Sequence, residues 1–274
     1  ALGDGKEGAR YITTLAGRGY CFVAPVSRIA SPRDAAPAAE AALAVAVHFP
    51  HANLPNRLGR MVGRDDDISK LSAQLNASRF VTIVGPGGVG KTTVAVAVGH
   101  HLVEDFAGAV LFVDLGMLSD PKLVATAAAS MLGLSVQSDD VRPNLMGYLR
   151  DKRILLILDT CEHLVEAAAG LAEAIMEAAP QVHLLATSRE ALRVDGEHVY
   201  RLDSLACPPD APGLTAAAVR EFPAAQLFME RAAASGARLD ISDADAPVLA
   251  NICRKLDGVA LAIELAARRV ESHG

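Results

Sequence analysis

The chain is poor in aromatic residues and in cysteine. It contains no tryptophan, aromatic side chains make up 4% of its 274 residues, and its four cysteines are far apart. No CxxC pair or histidine-paired zinc spacing occurs, which favours free thiols, as in a reducing cytoplasm. There is no run of about 18 uncharged apolar residues, and the first residues lack the layout of a signal peptide. We therefore expect a cytoplasmic protein with no membrane partner.

Acidic residues exceed basic ones, and alanine is unusually frequent. The 32 Asp and Glu residues against 26 Lys and Arg give a net charge of −6, which argues against a protein that mainly coats nucleic acid. The hydrophobic fraction of 51% is sufficient for a core, and the 51 alanines make it a core of small, helix-forming residues. The chain begins at Ala1 and its last stretch stops within a helical pattern, so we expect a fragment of a longer protein.

Residues 1–24 have the pattern of a β-hairpin, in which Tyr11–Leu15 and Tyr20–Val23 are strands and Ala16–Gly19 is the turn. The pattern resembles the C-terminal wing of OmpR/PhoB-type winged-helix DNA-binding domains, truncated so that the recognition helix lies upstream of residue 1. That resemblance implies DNA as a partner of the full-length protein, through its winged-helix domain. An ordinary solvent-facing hairpin is the alternative. Residues 25–50, rich in alanine and proline, are typical of a linker.

From residue 51 to 205, apolar β runs alternate with helical stretches. Such alternation predicts an α/β fold with a parallel sheet covered by helices on both faces. The predicted strands are Phe80–Val84, Val110–Val113, Ile154–Leu158, Val182–Ala186 and Val199–Leu202, and the predicted helices are Thr92–Phe106, Pro121–Leu132, Arg142–Lys152 and Glu162–Ala179. Residues 206–274 show no strand pattern and predict a separate, incomplete helical subdomain, with helices at Phe222–Ser235 and at Ala244–Val270, interrupted at Gly258.

The most specific motif is Gly85-Pro86-Gly87-Gly88-Val89-Gly90-Lys91-Thr92, which fits G-x-x-x-x-G-K-[ST]. It follows a predicted strand and opens a predicted helix, as a phosphate-binding loop of a P-loop NTPase requires. Glycines let backbone N–H groups turn toward an anion, and the helix N-terminus adds the positive end of its dipole. In this motif Lys91 brings its charge to the β- and γ-phosphates, and the Thr92 hydroxyl binds Mg²⁺.

Polar residues also follow the other predicted strands. Asp159 ends a buried strand in the layout of a Walker B motif, suited to hold Mg²⁺. Ser188 and Arg189 follow the next strand, and Asp114 follows an earlier one. Because the carboxyl ends of parallel strands meet at one edge of a sheet, these side chains are predicted to surround the phosphate loop. Two alternatives stay open: Arg189 as a surface residue after an N-capping Ser188, and Asp114 as a loop cap.

Taken in order, several strings resemble the NB-ARC-type ATPase module of the STAND class, as found in bacterial transcription regulators: Asn53-Leu54-Pro55, Met61–Asp67, the phosphate loop, Leu156–His163, Ala186–Glu190 and Cys253–Ala267. The resemblance implies a switch in which ADP locks a resting form and ATP favours an open, self-associating one. It also implies that residues 62–64 line the adenine and ribose and that Arg189 senses the γ-phosphate. The implied nucleotide-binding residues are Val62, Gly63, Arg64, Gly85, Gly87, Gly88, Val89, Gly90, Lys91, Thr92, Thr93 and Ala260, the catalytic ones are Lys91, Asp159, Glu162 and Arg189, and the metal ligands are Thr92 and Asp159.

Two departures from the family pattern bear on the chemistry. Thr160 stands where the family usually has asparagine, and no acid directly follows Asp159, so Glu162 is the nearby carboxylate left to orient an attacking water. We therefore expect slow hydrolysis at most. In the helical subdomain, Ala260 stands where the family has a proline against the nucleotide. Without the fixed backbone of proline, closure over the nucleotide is expected to be looser.

The leading hypothesis is a switch that binds ATP or ADP with Mg²⁺ inside a DNA-binding transcription regulator. A second hypothesis is an adaptor that binds ADP permanently and never cycles, because no acid directly follows Asp159. A metabolic P-loop kinase is the third hypothesis. Against the kinase, no acceptor-site domain adjoins the phosphate loop, and the downstream residues are plain helices.

Overall fold

The structure is a computed structural model that describes residues 53–56, 61–134, 141–236 and 240–270, together with the backbone of residues 12–15 and 19–22. The chain divides after residue 48 into two units. In the first unit, β1 (Ile12–Leu15) and β2 (Gly19–Phe22) pair as antiparallel strands, with Ile12 opposite Phe22. This pairing confirms the two predicted strands. Residues 16–18 of the predicted turn and the predicted linker at 25–50 lie outside the described residues.

A five-stranded parallel sheet forms the centre of the second unit. Its order is β4-β5-β6-β3-β7, where the strands are β3 (Phe80–Val84), β4 (Val110–Asp114), β5 (Leu155–Asp159), β6 (His183–Ser188) and β7 (His198–Arg201). β3 and β5 are buried along their whole length, as their apolar runs favour. The sheet confirms the predicted α/β class. β3 has the predicted bounds, and the ends of the other four strands differ by one or two residues from the predicted ones, because backbone pairing rather than hydropathy sets where a strand ends.

Helices cover both faces of this sheet. Successive side chains of a strand point to opposite faces, so Leu155 and Ile157 of β5 belong to one core cluster and Leu156 and Leu158 to the other. The helices on the first face are α1 (Asp65–Ala77) and α2 (Lys91–His101), and those on the second are α3 (Leu123–Met131), α4 (Arg142–Leu149) and α5 (Val165–Ala178). Within the described ranges, no helix is long and apolar enough to cross a bilayer.

Some helices differ from the predicted ones. α1 was not predicted. The three aspartates of its first turn interact favourably with the positive end of the helix dipole, but they obscure the apolar pattern to which the buried Leu71 and Leu75 belong. The predicted helix at 92–106 ends at residue 101 and continues as turns. The predicted helix at 162–179 was wrong at its start, where the 3-10 turn Cys161–His163 precedes α5.

The residues after the sheet form a helical subdomain, whose core cluster also includes Val62 from the segment before α1. Gly258 interrupts the last predicted helix because its φ is +66° and an added Cβ would overlap the Leu205 carbonyl. The two residues are also hydrogen-bonded, since Leu205 N–H donates to Gly258 O at 2.9 Å. The helices are α6 (Ala216–Arg220), α7 (Pro223–Ala234), α8 (Ala246–Lys255) and α9 (Ala260–Ala267).

The segment before α1 is attached to one edge of the sheet. The side-chain amide of Asn53 bonds both backbone groups of Phe112 in edge strand β4: Nδ2 donates to Phe112 O at 2.8 Å, and Oδ1 accepts from Phe112 N–H at 2.7 Å. Leu54 packs on Gly99 near the end of α2, where an added Cβ would lie 2.9 Å from Leu54 Cδ2. The segment therefore covers part of an otherwise open strand edge.

Candidate functional site

The phosphate loop lies between β3 and α2, and its lysine is folded back onto it. Gly88 and Gly90 have φ of +77° and +104°, a left-handed conformation that favours glycine. Lys91 is 8% exposed, and its Nζ donates to Gly85 O at 2.9 Å and to Pro86 O at 3.1 Å. Burial lowers the pKa of Lys91, and a nearby carboxylate opposes that shift. Two of the three ammonium donors are thus engaged by the loop's own carbonyls.

The carboxylate of Asp159 is surrounded by threonine hydroxyls. Thr92 Oγ1 and Thr160 Oγ1 both donate to Asp159 Oδ2 at 3.0 Å, and Thr187 Oγ1 donates to Oδ1 at 2.6 Å. Asp159 is 4% exposed, so these bonds replace its hydration. The oxygens of Asp159 and Thr92 are of the kind that Mg²⁺ prefers. The two predicted metal ligands are therefore adjacent, and their chemistry fits that cation.

Thr160 has a strained backbone. Its φ of +62° and ψ of 53° are left-handed, which is uncommon for a β-branched residue and costs roughly 1–3 kcal/mol. The conformation is held by two bonds, since Thr160 N–H donates to Thr187 Oγ1 at 2.9 Å and its hydroxyl donates to Asp159. Asparagine tolerates this region better, which gives a physical reason for the asparagine that the family resemblance leads one to expect at this position.

Arg189 and Glu162 form an ion pair beside the phosphate loop. Arg189 Nε lies 3.4 Å from Glu162 Oε1, with the arginine side chain 68% exposed and the glutamate 22%. A Cβ added to Gly87 would lie 3.6 Å from the Arg189 guanidinium, so Arg189 reaches the loop although it is exposed. Among the described residues no helix begins at Ser188, so the N-cap part of the alternative is wrong, whereas the exposed side chain of Arg189 agrees with its being a surface residue.

The loop-cap alternative for Asp114 is confirmed. Its Oδ1 accepts from Gly116 N–H at 2.8 Å, and Asp114 lines neither of the cavities described below. Its carboxylate therefore serves the turn that follows β4 rather than the phosphate loop.

Two adjoining cavities lie at this edge of the sheet. The larger, about 400 Å³, is lined by Lys91, Thr92, Glu162 and Arg189, and the smaller, about 80 Å³, is lined mainly by apolar side chains such as Val62. Of the residues predicted to bind nucleotide, all but two line one or both cavities.

The two exceptions are Gly63 and Gly85, which serve close packing. An added Cβ on Gly63, at φ +64°, would collide with Pro223 at the start of α7. A Cβ on Gly85 would lie 2.9 Å from Leu202 O. For these glycines the sequence pattern identified the positions but not the role.

Arg64 fastens the phosphate loop to the start of α1. It is 7% exposed, and it donates to Val89 O and to Asp67 Oδ2, both at 3.0 Å. The hydroxyl of Tyr200 donates to the other Asp67 oxygen at 2.6 Å, and burial together with this bond raises the pKa of Tyr200. Arg64 therefore lines the smaller cavity with its guanidinium already bonded to protein groups.

The helical subdomain rests directly on the phosphate loop. Leu261 N–H, at the start of α9, donates to Gly88 O at 3.0 Å, and a Cβ added to Gly88 would lie 2.9 Å from Leu261 Cβ. Ala260 lines both cavities, as does Glu264 one turn further along α9. Sequence reasoning missed Leu261 and Glu264, although the spacing of four residues puts Ala260 and Glu264 on one helix face.

Comparisons with known proteins agree with this architecture. Residues 64–191 match the NB-ARC domain family. An uncharacterised protein of Mycobacterium tuberculosis is 33% identical over 216 residues, covering 78% of this chain and 52% of that protein. A putative HTH-type transcriptional regulator of the same organism is 34% identical over 203 residues, 74% of this chain and 21% of the regulator. The chain thus spans about half the length of the first relative and about a fifth of the second.

A solved structure shares the fold. It is a signal transduction ATPase with numerous domains (STAND) protein with a tetratricopeptide repeat sensor from Pyrococcus horikoshii, with a TM-score of 0.51 over 79% of this chain and 31% of that one. At 16% identity this likeness concerns the fold alone.

Proposed function

We propose that the chain is a nucleotide switch, because residues 64–191 match the NB-ARC domain family and the parallel sheet has the fold of a P-loop NTPase. It binds ATP or ADP with Mg²⁺ and transmits the occupancy of its cleft to a DNA-binding domain of the full-length protein. The name of the Mycobacterium regulator and the hairpin of β1 and β2 support that output, with the hairpin as the wing of a winged-helix domain.

One observation carries the proposal: the helical subdomain bonds to the loop that binds phosphates. The bond from Leu261 N–H to Gly88 O joins the start of α9 to the phosphate loop, and Ala260 lines both cavities. A ligand that fills the cleft therefore contacts both subdomains and changes the free energy of their association. A ligand that contacts two movable parts differently in two states shifts the balance between those states.

The residues divide the work of binding as follows. Lys91 would hold the phosphates, and Thr92 and Asp159 would hold Mg²⁺, which supplies charge neutralisation to the phosphates when bound. Val62 and Arg64 would lie beside the base and ribose. Arg189 would sense the terminal phosphate, because it is the exposed cation that reaches the loop at Gly87.

A second candidate is an adaptor that keeps ADP bound and never cycles. The ion pair of Glu162 with Arg189 at 3.4 Å favours it, because the carboxylate that would orient water is engaged. In either case we expect slow hydrolysis at most. For the cycling switch we propose self-association in the ATP-bound form, which light scattering with ATP and with ADP would detect.

The first experiment identifies the bound nucleotide. The purified chain is denatured, and the released nucleotide and its molar ratio to protein are determined by chromatography. Near-stoichiometric ADP supports a closed resting form, and its exchange for ATP distinguishes the switch from the permanent adaptor. A protein that is empty and fails to bind added ATP with Mg²⁺ overturns both.

A variant pair tests the role of the lysine. Lys91→Ala should weaken nucleotide affinity by about 10- to 150-fold, since it removes charged hydrogen bonds of roughly 1.5–3 kcal/mol. Lys70→Ala, on the exposed face of α1, is the matched control and should bind as the wild type does. Equal affinities for the two variants contradict the assignment of Lys91 to the phosphates.

A further inference from the structure

Glu264 occupies the point where the two cavities meet. Both are lined by Gly90, Thr93, Ala260 and Glu264, and Glu264 is the charged residue among these four. The apolar cavity suits a base, and the larger cavity contains the phosphate loop. A nucleotide that extends across both must place its sugar at the junction, beside the carboxylate of Glu264.

Arg231 orients this carboxylate and balances its charge. Arg231 Nε donates to Glu264 Oε1 at 2.9 Å, and the side chains are 29% and 28% exposed. The neighbouring cation reduces the repulsion that a bare carboxylate would exert on phosphates a few ångströms away. In the part of the chain that the structure describes, no donor contacts the second oxygen, Oε2. One acceptor atom at the junction is thus ready for a ligand.

We propose that Glu264 accepts hydrogen bonds from the ribose hydroxyls and selects ribonucleotides over deoxyribonucleotides, with Arg231 as the positioning residue; this inference rests on the proposed nucleotide binding. A ribose presents O–H donors, and a carboxylate offers acceptors only, so the two are complementary. Dinucleotide-binding folds use an acidic residue in the same way, against the 2′-hydroxyl. In this chain the acid comes from the helical subdomain, so recognition of the sugar also depends on closure.

The test compares affinities for ATP, 2′-deoxy-ATP and 3′-deoxy-ATP by calorimetry on the same chain. Loss of one hydrogen bond to a charged acceptor lowers affinity by roughly 10- to 150-fold, so the wild type should bind at least one deoxynucleotide that much more weakly than ATP. In Glu264→Ala the ratio of ATP to deoxynucleotide affinity should fall to about one, as expected when the acceptor is gone. Glu264→Gln, which keeps a neutral acceptor in the same place, should give an intermediate ratio.

The matched control is Glu230→Gln. Glu230 approaches Arg231 from another side, with Arg231 Nη1 3.9 Å from Glu230 Oε1, but it lines neither cavity. The control should therefore keep the wild-type ratio. A ratio is insensitive to a partly unfolded fraction, because that fraction lowers both affinities equally, so the Glu264 variants remain informative even if they are less stable.

The outcomes separate this inference from the proposed function. If the wild type binds ATP and both deoxynucleotides equally, or if Glu264→Ala keeps the wild-type ratio, the ribose assignment is overturned while nucleotide binding stands. If the wild type, freed of any nucleotide bound on purification, binds none of the three, the proposed function fails and the inference fails with it. A wild-type preference that Glu264→Ala abolishes and Glu230→Gln retains supports the inference.

Discussion

Thr187→Val should destabilise the protein, although the substitution hardly changes the shape of a buried side chain. Thr187 is 1% exposed, and its hydroxyl donates to Asp159 at 2.6 Å and accepts from Thr160 N–H at 2.9 Å. Loss of the bond to the carboxylate costs about 1.5–3 kcal/mol, and leaving the strained Thr160 without an acceptor adds about 1 kcal/mol or more. We expect a free energy of unfolding lower by about 2.5–4 kcal/mol.

Thr82→Val is a matched control with the opposite sign. Thr82 lies in β3, is fully buried, and its hydroxyl is the buried side-chain group that lacks a hydrogen-bond partner among the described residues. Replacing an unsatisfied buried hydroxyl with a methyl group removes a cost of about 1–3 kcal/mol. Thr82→Val should therefore leave the free energy of unfolding unchanged or raise it. The same replacement of a hydroxyl by a methyl group, made in two neighbouring strands, thus has opposite expected effects on the free energy of unfolding.

The assay is urea unfolding of the three proteins, with free energies obtained by linear extrapolation. Equal dependence on urea concentration in all three would show that the same surface is exposed on unfolding. If Thr187→Val is as stable as the wild type, the hydroxyls around Asp159 do not contribute as described. If both variants lose stability equally, the loss comes from the exchange itself and not from hydrogen bonding.

Three further predictions concern Gly258, the thiol of Cys161 and the pKa of Lys91. Gly258→Ala should lower the free energy of unfolding by more than the roughly 1–2 kcal/mol that a left-handed alanine costs, because the added Cβ also overlaps the Leu205 carbonyl. The control in the same urea assay is Gly170→Ala in α5, where an added Cβ meets nothing within 4 Å, and it should be neutral or stabilising. Burial raises the pKa of Cys161 to about 12, so iodoacetamide at pH 8 should label it only after unfolding, and labelling of the native protein, detected by mass spectrometry, would contradict its burial. Burial lowers the pKa of Lys91 below its ordinary value of 10.5, so the unfolded chain binds this proton more tightly; the stability of the wild type relative to Lys91→Met should rise as pH increases toward 10.5, and a difference that falls with pH would refute that sign.

The parts of the fold that depend on residues close together in the sequence were predictable. β3 and β5 are mainly apolar, apart from Thr82 within β3 and Asp159 at the end of β5, and the glycine, lysine and threonine spacing of the phosphate loop is specific to a loop between a strand and a helix. Because the carboxyl ends of parallel strands meet at one edge of a sheet, Asp159 and Arg189 were predicted to lie beside that loop, and both do. The same reasoning did not predict α1, because its first turn is acidic and its few apolar residues come only after that turn.

The parts that depend on tertiary packing were not predictable. Arg231 and Glu264 are separated by 33 residues and belong to different helices, so their contact arises only when α7 and α9 pack together. The left-handed backbone of Thr160 likewise depends on Thr187 of a neighbouring strand, to which its N–H is bonded. Periodicity identifies which side of a helix is buried, but it does not identify the partner.

The attachment of the segment before α1 has a mechanical consequence. Asn53 is fixed to an edge strand by two hydrogen bonds, and Leu54 presses on Gly99 near the end of α2. The first residue of that helix is Lys91, so a single helix of 11 residues, about 16 Å long, runs from the anchored segment to the phosphate loop. A force that pulls on the polypeptide ahead of residue 53 acts first on the hydrogen bonds of Asn53, and any force transmitted further acts along a stiff helix whose other end is Lys91.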